Sequence, residues 1–278
     1  MPELPEVETV RRALQASLPG FEVMETAVHE TRLRRPVRRS SLRSLVGQRF
    51  VCVDRRAKYL LLWTDADQAI VIHLGMTGRV DLFTSREVPL RAHDHICWFL
   101  RGARGERLEM RYNDPRRFGL VAPVRRRSLP EHKLFAGLGP EPLEGEFDGP
   151  YLWRRLRGSR RPIKNTIMDA RIVVGVGNIY ASEALWRAGI NPKTRAGRVG
   201  EARCERLCSE IVAVLGEAID QGGTTLSDYR DPGGNSGYFQ VRLSAYGREG
   251  DKCHRCHGTI RRIVQSARST FYCPGCQH

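Results

Sequence analysis

Near the middle of this chain, the hydrophobic pattern changes from short strand-like runs to a helical period. Between residues 21 and 123, eight short runs rich in β-branched and aromatic residues are separated by turn residues. These runs predict an antiparallel sandwich or barrel, because parallel βαβ units would need helical segments between the strands. After a stretch rich in proline, glycine and acidic residues, apolar positions repeat every 3.6 residues and predict helices. The pattern therefore predicts an α+β chain, with a β domain first and a helical domain second.

One amphipathic helix is predicted ahead of the β domain, over residues 5–18. Val7, Val10, Leu14 and Leu18 share one face of this helix, and the Pro-Gly pair that follows ends it. The predicted boundaries are 1–130 for the β domain, 131–149 for a linker, 150–240 for the helical domain and 241–278 for a small terminal unit.

Four of the eight cysteines form two Cys-x2-Cys pairs near the carboxyl end, sixteen residues apart. This is the spacing of a four-cysteine zinc ribbon, in which each pair places two thiolates on one side of a tight turn. The alternating residues between the pairs predict a β-hairpin. Four thiolates leave no open coordination position, so the predicted metal is one structural Zn²⁺. Its predicted ligands are Cys253, Cys256, Cys273 and Cys276; His254 or His257 is a less favoured replacement.

The chain is strongly basic. It carries 46 lysine and arginine residues against 31 acidic residues, a formal net charge of +15. Such an excess indicates a polyanionic partner, nucleic acid before an anionic membrane surface. Arginine clusters at 32–43 and 154–161 would attract phosphate, although each could equally be a solvated face. The sequence predicts no membrane span and no secretory signal, and the scattered cysteines outside the two pairs indicate a reducing compartment.

The amino terminus combines a proline with two acidic residues. Removal of Met1 would leave Pro2 as a secondary amine, which would form a cationic iminium with an aldehyde carbon. Such an iminium draws electrons from neighbouring carbons and so promotes elimination. Glu3 and Glu6 are three positions apart and could face this amine as proton donor and orienting group. Proline and acidic residues are also ordinary at a helix start, so both interpretations remain open at this point.

Two turns have features of DNA contacts. The glycines before Asn178 precede a helix whose first N–H groups, with the Asn178 side chain, could hold a phosphate. The alternative is a tight turn between packed helices. The turn at 113–119 carries Arg116 and Phe118, which could enter a base stack. An aromatic ring at a turn is also often part of a core.

These motifs occur together, in order, in one known family. MPELPEVETVRR, RRAKYLL, IHLGMTG, DPRRFG, LGPEPL, VVGVGNIYASE, QGGTTL and the terminal cysteine pairs resemble formamidopyrimidine-DNA glycosylases, from residue 1 to residue 277. The resemblance implies a β-sandwich domain, a helix–two-turns–helix domain and a zinc-ribbon hairpin, with DNA in the cleft between them. It also implies a base-excision repair enzyme that removes oxidised purines (8-oxoguanine, formamidopyrimidines) and cleaves the abasic strand by β- and δ-elimination.

The resemblance gives roles to individual positions. Pro2 resembles the nucleophile, Glu3 the acid that protonates the deoxyribose ring oxygen, and Glu6 the acid that ties the site to the GVGN turn. Lys58 resembles a lysine that contacts phosphate at the lesion. It is expected in a strand of apolar neighbours, where a charge without a function would be costly. Arg268 is expected both to act with these catalytic residues and to contact a DNA phosphate. The other DNA contacts would be Met76, Arg116 and Phe118, which fill the space of the everted base, His73 and Asn178, which contact phosphate, and Lys164.

The loop 222–240 resembles the lid over the flipped base, with Gly233 where the family often has a larger polar residue. Base eversion, attack by Pro2 and elimination through the iminium require no external redox or nucleotide cofactor.

Two other functions remain open. Endonuclease VIII-type enzymes share the mechanism and prefer oxidised pyrimidines, but they typically read PEGPE where Leu4 gives PELPE here. A catalytically silent zinc DNA-binding protein would need the basic face and the ribbon, but not Pro2, Glu3 and Lys58 together. The expected partner is double-stranded DNA with oxidised purines or abasic sites, bound by a monomer in a bacterial cytoplasm, with no membrane partner.

Overall fold

The computed structural model describes residues 2–84, 88–222 and 243–278, and the chain separates into two compact units. The first unit is built on Glu6–Ala136 and also includes Pro2. The second is built on Gly137–Gln221 and the described carboxyl-terminal residues, and it also includes Glu3–Pro5. The expected lid at 222–240, apart from Gly222, lies outside the described residues. No helix in the described part of the chain is long and apolar enough to cross a membrane.

The first unit contains the predicted antiparallel sandwich. All of its strand pairs are antiparallel and form two four-stranded sheets, one ordered β1-β6-β7-β5 and the other β2-β3-β4-β8. The eight strands correspond to the eight predicted runs. They are β1 (Glu22–Val28), β2 (Phe50–Arg56), β3 (Tyr59–Thr64), β4 (Gln68–His73), β5 (Arg79–Phe83), β6 (Asp94–Arg101), β7 (Arg107–Asn113) and β8 (Leu120–Arg125).

One apolar core joins both sheets to the first helix. Helix α1 (Leu4–Ser17) buries Val7, Val10 and Leu14 in that core, and Leu18, directly after the helix, is buried with them, which confirms the predicted amphipathic face. The strands contribute alternate side chains to this core, such as Leu60 and Leu62 of β3 and Ile70 and Ile72 of β4, because residues two positions apart share one face of a sheet. A short helix α2 (Arg39–Arg43) and a 3₁₀ turn (Arg126–Ser128) complete this unit.

The second unit is helical up to its terminal hairpin, as predicted. Its helices are α3 (Gly149–Leu156), α4 (Ile163–Ile167), α5 (Asn178–Arg187) and α6 (Glu201–Asp220), with a 3₁₀ turn at Ala196–Arg198. Helix α3 begins where Asp148 accepts a hydrogen bond from the Tyr151 amide at 2.6 Å, an ordinary N-cap. Residues of α3, α5 and α6 share a second apolar core, and Leu4 is buried in it.

The predicted terminal hairpin is also present. Strands β9 (Arg261–Gln265) and β10 (Arg268–Tyr272) pair antiparallel, with Gln265 opposite Arg268. Both turn residues, Ser266 and Ala267, have positive φ, at 47° and 59°, as in a type I′ turn.

Candidate active site and DNA-binding surfaces

The carboxylate of Glu3 lies on the amino-terminal end of α5. Glu3 is buried, and its oxygens accept hydrogen bonds from the amides of Ile179 at 2.9 Å and Tyr180 at 3.4 Å. A Cβ at Gly177 would overlap this carboxylate, so the approach requires glycine there. The free N–H groups and the dipole of a helix start stabilise an anion. This helix start therefore holds the chain's own carboxylate, not the phosphate that its sequence suggested.

Backbone contacts fix the chain on either side of Glu3. The amide of Leu4 donates to the carbonyl of Gly175 at 3.1 Å, and Gly175 itself has a φ of 84°. Pro2, one peptide bond before Glu3, is half-buried, and Glu6 is buried. The residue that follows the candidate nucleophile is thus held in place by the GVGN turn.

A buried lysine joins α4, α5 and the terminal hairpin. The Lys164 ammonium donates to Asn178 Oδ1 at 2.7 Å, to the Ser269 carbonyl at 3.1 Å and to Thr270 Oγ1 at 2.7 Å. Burial is the main cause that lowers the pKa of Lys164 to about 8; the negative charge of Glu3 raises it and Arg268 lowers it further. All three ammonium hydrogens have acceptors within the unit. This geometry gives Lys164 a positioning role, and a direct DNA contact by Lys164 stays a prediction.

Asn178 and Arg268 line the same cleft of the second unit. The Asn178 side chain accepts from Lys164 and donates to the Ser269 carbonyl at 3.0 Å, which leaves one amide hydrogen for a ligand. Arg268 is exposed at the start of β10. The cleft has a volume of about 280 Å³, and Arg161 and Asn165 also line it. The lining is polar and has three cationic side chains, Arg161, Lys164 and Arg268, against one carboxylate, Asp169, and this excess of positive charge suits a phosphate.

The four predicted zinc ligands are assembled in the second unit. Their sulfur atoms all lie within 4.8 Å of one another, with Cys253 and Cys276 at 3.7 Å and Cys256 and Cys273 at 3.4 Å. A tetrahedron with Zn–S bonds of about 2.3 Å has sulfur–sulfur edges of roughly 3.8 Å. The donor set and its spacing fit one structural Zn²⁺, which would hold both ends of the ribbon together without an open position for substrate.

His73 and Lys58 are neighbours in the first unit. His73 ends β4, and its Nδ1 accepts a hydrogen bond from the Gly75 amide at 3.0 Å, so the neutral ring carries its proton on Nε2. Burial lowers the pKa of His73 to about 4, and the positive charges of Arg34 and Lys58 contribute to this shift. His73 is therefore a neutral hydrogen-bond donor at physiological pH, in a basic surrounding that favours phosphate.

Lys58 lies in a turn and not in the strand that its apolar neighbours suggested. Residues 57 and 58 form the two-residue connection between β2 and β3, where Arg56 pairs with Tyr59. Ala57 has a φ of 54°, a conformation more usual for glycine or asparagine. The turn places Lys58 at the end of the hairpin, so the strand prediction was wrong for this residue.

Three side chains predicted to fill the space of an everted base lie on two packed turns. Met76 is 42% exposed and Phe118 is 48% exposed, unusual for large apolar side chains. The guanidinium of Arg116 lies over the Phe118 ring, 4.7 Å from its centroid. A Cβ on Gly75 would come within 2.6 Å of the backbone at residues 118 and 119, so the two turns touch.

Asp114, which was not among the predicted site residues, holds these two turns together. It is fully buried, and its carboxylate accepts hydrogen bonds from the Thr77 hydroxyl at 2.6 Å and the Gly119 amide at 2.8 Å. The Tyr112 hydroxyl donates to the same carboxylate at 3.2 Å, and the Arg116 amide donates to Thr77 Oγ1 at 3.2 Å. The Asp-Pro pair at the start of the turn was the available signal, because aspartate commonly bonds to nearby backbone groups there.

Three family models match successive parts of the chain. Residues 1–121 match the formamidopyrimidine-DNA glycosylase N-terminal domain, residues 138–230 match its H2TH domain, and residues 250–278 match a zinc finger found in FPG and IleRS. A curated formamidopyrimidine-DNA glycosylase from Thioalkalivibrio sulfidiphilus is 49% identical over 277 residues, and the alignment covers 100% of both chains.

Solved structures of the Lactococcus lactis enzyme are similar along the whole chain. A mutant in complex with Fapy-dG containing DNA has a TM-score of 0.90 and 32% identity, with 100% of both chains covered. A complex with abasic-site DNA has a TM-score of 0.90 and 32% identity, with 99% of both chains covered. The sequence matches and the shared fold agree along the full length, and this chain therefore belongs to the formamidopyrimidine-DNA glycosylase family.

Proposed function

We propose that this chain is an oxidised-purine DNA glycosylase and AP lyase of base excision repair, in which Pro2 is the nucleophile. The observation that carries the proposal is the anchoring of Glu3 by the Ile179 and Tyr180 amides. A free chain end would be mobile and poorly placed for attack, whereas a fixed Glu3 leaves Pro2 only one peptide bond of freedom. Holding a nucleophile near its target replaces much of the entropic cost of reaction.

The reaction follows from a secondary amine at C1′ of the damaged nucleotide. The Pro2 nitrogen attacks C1′, the bond from C1′ to the base breaks, and the base leaves with the proton that the Pro2 nitrogen loses. Glu3, once it has taken up a proton from water, passes it to the ring oxygen, and the deoxyribose ring opens to the iminium. The cationic iminium makes the C2′ proton acidic. Its removal expels the 3′ phosphate by β-elimination, and a second elimination expels the 5′ phosphate.

The DNA contacts that this reaction needs are proposed for residues of both units. We infer that Lys58 and the Nε2–H group of His73 bind phosphate from the first unit. The free amide hydrogen of Asn178 and the exposed Arg268 would do so from the second unit. The turns held by Asp114 would place their three exposed side chains in the gap left by the everted base, which offsets part of the unstacking cost.

Oxidised purines are the substrate class we favour over oxidised pyrimidines. Leu4, which separates PELPE from PEGPE, is fully buried in the second core, so we infer that it acts through packing and not by touching the base. Excision of 8-oxoguanine opposite cytosine should be faster than excision of thymine glycol in the same duplex. The reverse preference would favour the endonuclease VIII type of enzyme.

We further propose the location and organisation expected for such an enzyme. A DNA substrate would bring a bacterial protein of this kind to the nucleoid in the cytoplasm, as a monomer. The proposed functional division is 1–130, a linker at 131–149, 150–240 and 241–278. Limited proteolysis in the linker, followed by mass measurement of the fragments, tests these boundaries.

The decisive experiment tests the amine at the chain end. Borohydride should trap the protein on an oligonucleotide that contains 8-oxoguanine, and peptide mapping should place the adduct on Pro2 of a chain that lacks Met1. An uncleaved amino-terminal extension moves the amine by about 3.5 Å per residue, whereas attack needs reacting atoms within about 3–3.5 Å. We expect the extension to abolish excision and lyase activity and to leave DNA affinity within a few-fold.

The matched control is the same extension with a protease site directly before Pro2. Cleavage should restore both activities, because it regenerates the terminal amine without any other change. An adduct that maps to Lys58 would overturn the assignment of Pro2. A protein that binds DNA but forms no adduct with any lesion would instead be a silent DNA-binding protein.

A further inference from the structure

The carboxyl-terminal end of α5 contacts the first pair of zinc ligands. The indole N–H group of Trp186 donates to Cys253 Sγ at 3.4 Å, and the amide of Arg255 donates to the same sulfur at 3.4 Å. Trp186 is 9% exposed and Cys253 is fully buried, so water competes little for these bonds. Cys253 therefore has a side-chain donor from a helix outside the ribbon, in addition to the backbone donor within its own turn.

Arg255, between the cysteines of the first pair, binds to the same end of α5. Its guanidinium lies over the Trp186 ring, 4.5 Å from the centroid, and donates to the carbonyls of Trp186 and Arg187 at 3.2 Å each. Carbonyls in the last turn of a helix have no partner within the helix, and a cation is favoured there. A Zn²⁺ ion with four thiolates carries a net charge of −2, so a nearby guanidinium also offsets charge at the metal.

The second pair of ligands is tied to the chain just beyond α5. Gln277 is buried; its Nε2 donates to the Ile190 carbonyl at 2.9 Å, and its Oε1 accepts from the Cys273 amide at 2.7 Å. Both halves of the ribbon are therefore bonded to the segment from Trp186 to Ile190. The ribbon is not an independent zinc module.

We propose that Trp186 and Arg255 are positioning residues of the zinc site that set how long the protein retains its metal. The indole N–H group fixes the orientation of one thiolate and stabilises its negative charge, while Arg255 holds the indole in place. Residues that orient metal ligands in this way typically contribute 10- to 100-fold in metal affinity. Since the ribbon carries Arg268, retention of zinc also preserves one proposed phosphate contact.

The test compares zinc release from two tryptophan variants of the holoprotein. Trp186→Phe removes the N–H donor and keeps an aromatic ring beneath Arg255. Trp153→Phe is the matched control, because Trp153 also lies under an arginine, Arg157 at 5.3 Å, but in α3 and without a zinc ligand as partner. We expect Trp186→Phe to release zinc to a chromogenic chelator about tenfold faster than the wild type, with the control unchanged.

A spectroscopic readout separates this effect from simple loosening of the fold. In the cobalt-substituted protein, Trp186→Phe should shift the sulfur-to-cobalt charge-transfer band, because a thiolate that loses a hydrogen bond gives up its electrons more readily. The control should leave the band in place. If Trp186→Phe releases zinc at the wild-type rate and its cobalt spectrum is identical to that of the wild type, the proposal is overturned.

A second variant keeps the proposal testable if Trp186→Phe disturbs the helix. Arg255→Gln removes the positive charge and the guanidinium N–H donors of an exposed side chain, and it changes no residue of α5 or its core. We expect faster zinc release from this variant as well. Release at the wild-type rate from a folded Arg255→Gln protein would exclude a role for Arg255.

Discussion

The unusual state of His73 makes a specific prediction about pH. The pKa of its imidazole is lowered from 6.5 to about 4, with burial as the largest cause. Below pH 6.5 the His73 imidazole is protonated in the unfolded chain, whereas in the folded protein it stays neutral down to about pH 4. Stability contributed by the neutral ring is therefore complete above pH 6.5 and is lost as the pH falls towards 4.

The size of the effect follows from this difference. The two pKa values differ by about 2.5, and each unit of difference corresponds to about 1.4 kcal/mol. The free energy of unfolding therefore falls by about 3 kcal/mol by the pH at which the folded protein begins to bind the proton. Between pH 7 and pH 4.5 the wild type should lose about 2.5 kcal/mol more stability than His73→Gln, which cannot titrate. His29→Gln is the control, because it makes the same substitution at an exposed imidazole of the same unit.

Two measurements check this reasoning. Urea unfolding of the first unit at both pH values, followed by a probe within it, gives the free-energy difference. Long-range ¹H–¹⁵N NMR reports the titration and the tautomer of His73 directly, and should show a neutral ring protonated at Nε2 down to about pH 4.5. A midpoint near 6.5, or a proton on Nδ1, would refute both the expected difference in stability and the donor role of His73 towards phosphate.

Two further predictions concern the turn surface and the metal. Phe118→Ala should slow base excision about tenfold or more but affect cleavage at a preformed abasic site less, because less unstacking remains to be offset there. Leu90→Ala, at a similarly exposed apolar side chain of the same unit, should change neither rate, and equal slowing of both steps by Phe118→Ala would count against the wedge. Zinc removal or Cys256→Ala should unfold the hairpin, displace Arg268 and weaken DNA binding at least tenfold, while Cys52→Ala does not. Circular dichroism should show the remaining fold intact, and full DNA binding by a verified metal-free protein would contradict the role of the ribbon.

The sandwich and the helical unit were predictable because their apolar periods are unambiguous. Each predicted run between residues 21 and 123 corresponds to one strand, and Val7, Val10, Leu14 and Leu18 fill the core as the helical period requires. The zinc site was equally predictable, because ligand type and spacing alone define a four-thiolate ribbon. In these cases a local pattern carries all the information that the structure uses.

The start of α5 was not predictable in this way. Free amides at a helix start bind a phosphate or a carboxylate with the same geometry, and Glu3 lies about 175 residues away in the sequence. Only the tertiary fold decides which anion binds there. The placement of Lys58 was wrong for a different reason. The break between the second and third runs was predicted, but Ala57 adopts a positive φ without being glycine or asparagine, so no turn signal moved Lys58 from the strand into the turn.

The largest gap concerns buried charges. The sequence motifs indicate functional residues by their chemistry towards DNA, but they do not show which buried side chains hold those residues in place. Asp114 was not predicted at all, and Lys164 was predicted only as a DNA contact, which stays a prediction. A buried charge is costly unless it is fully paired, so these residues persist only where every hydrogen-bonding group finds a partner. Asp114 meets this condition by joining the two turns that carry the exposed side chains, and Lys164 meets it by joining Asn178 to the hairpin that carries Arg268. In each unit, the exposed residues proposed to touch DNA thus depend on one buried ion, whose loss would leave its partners unsatisfied and displace several DNA contacts at once.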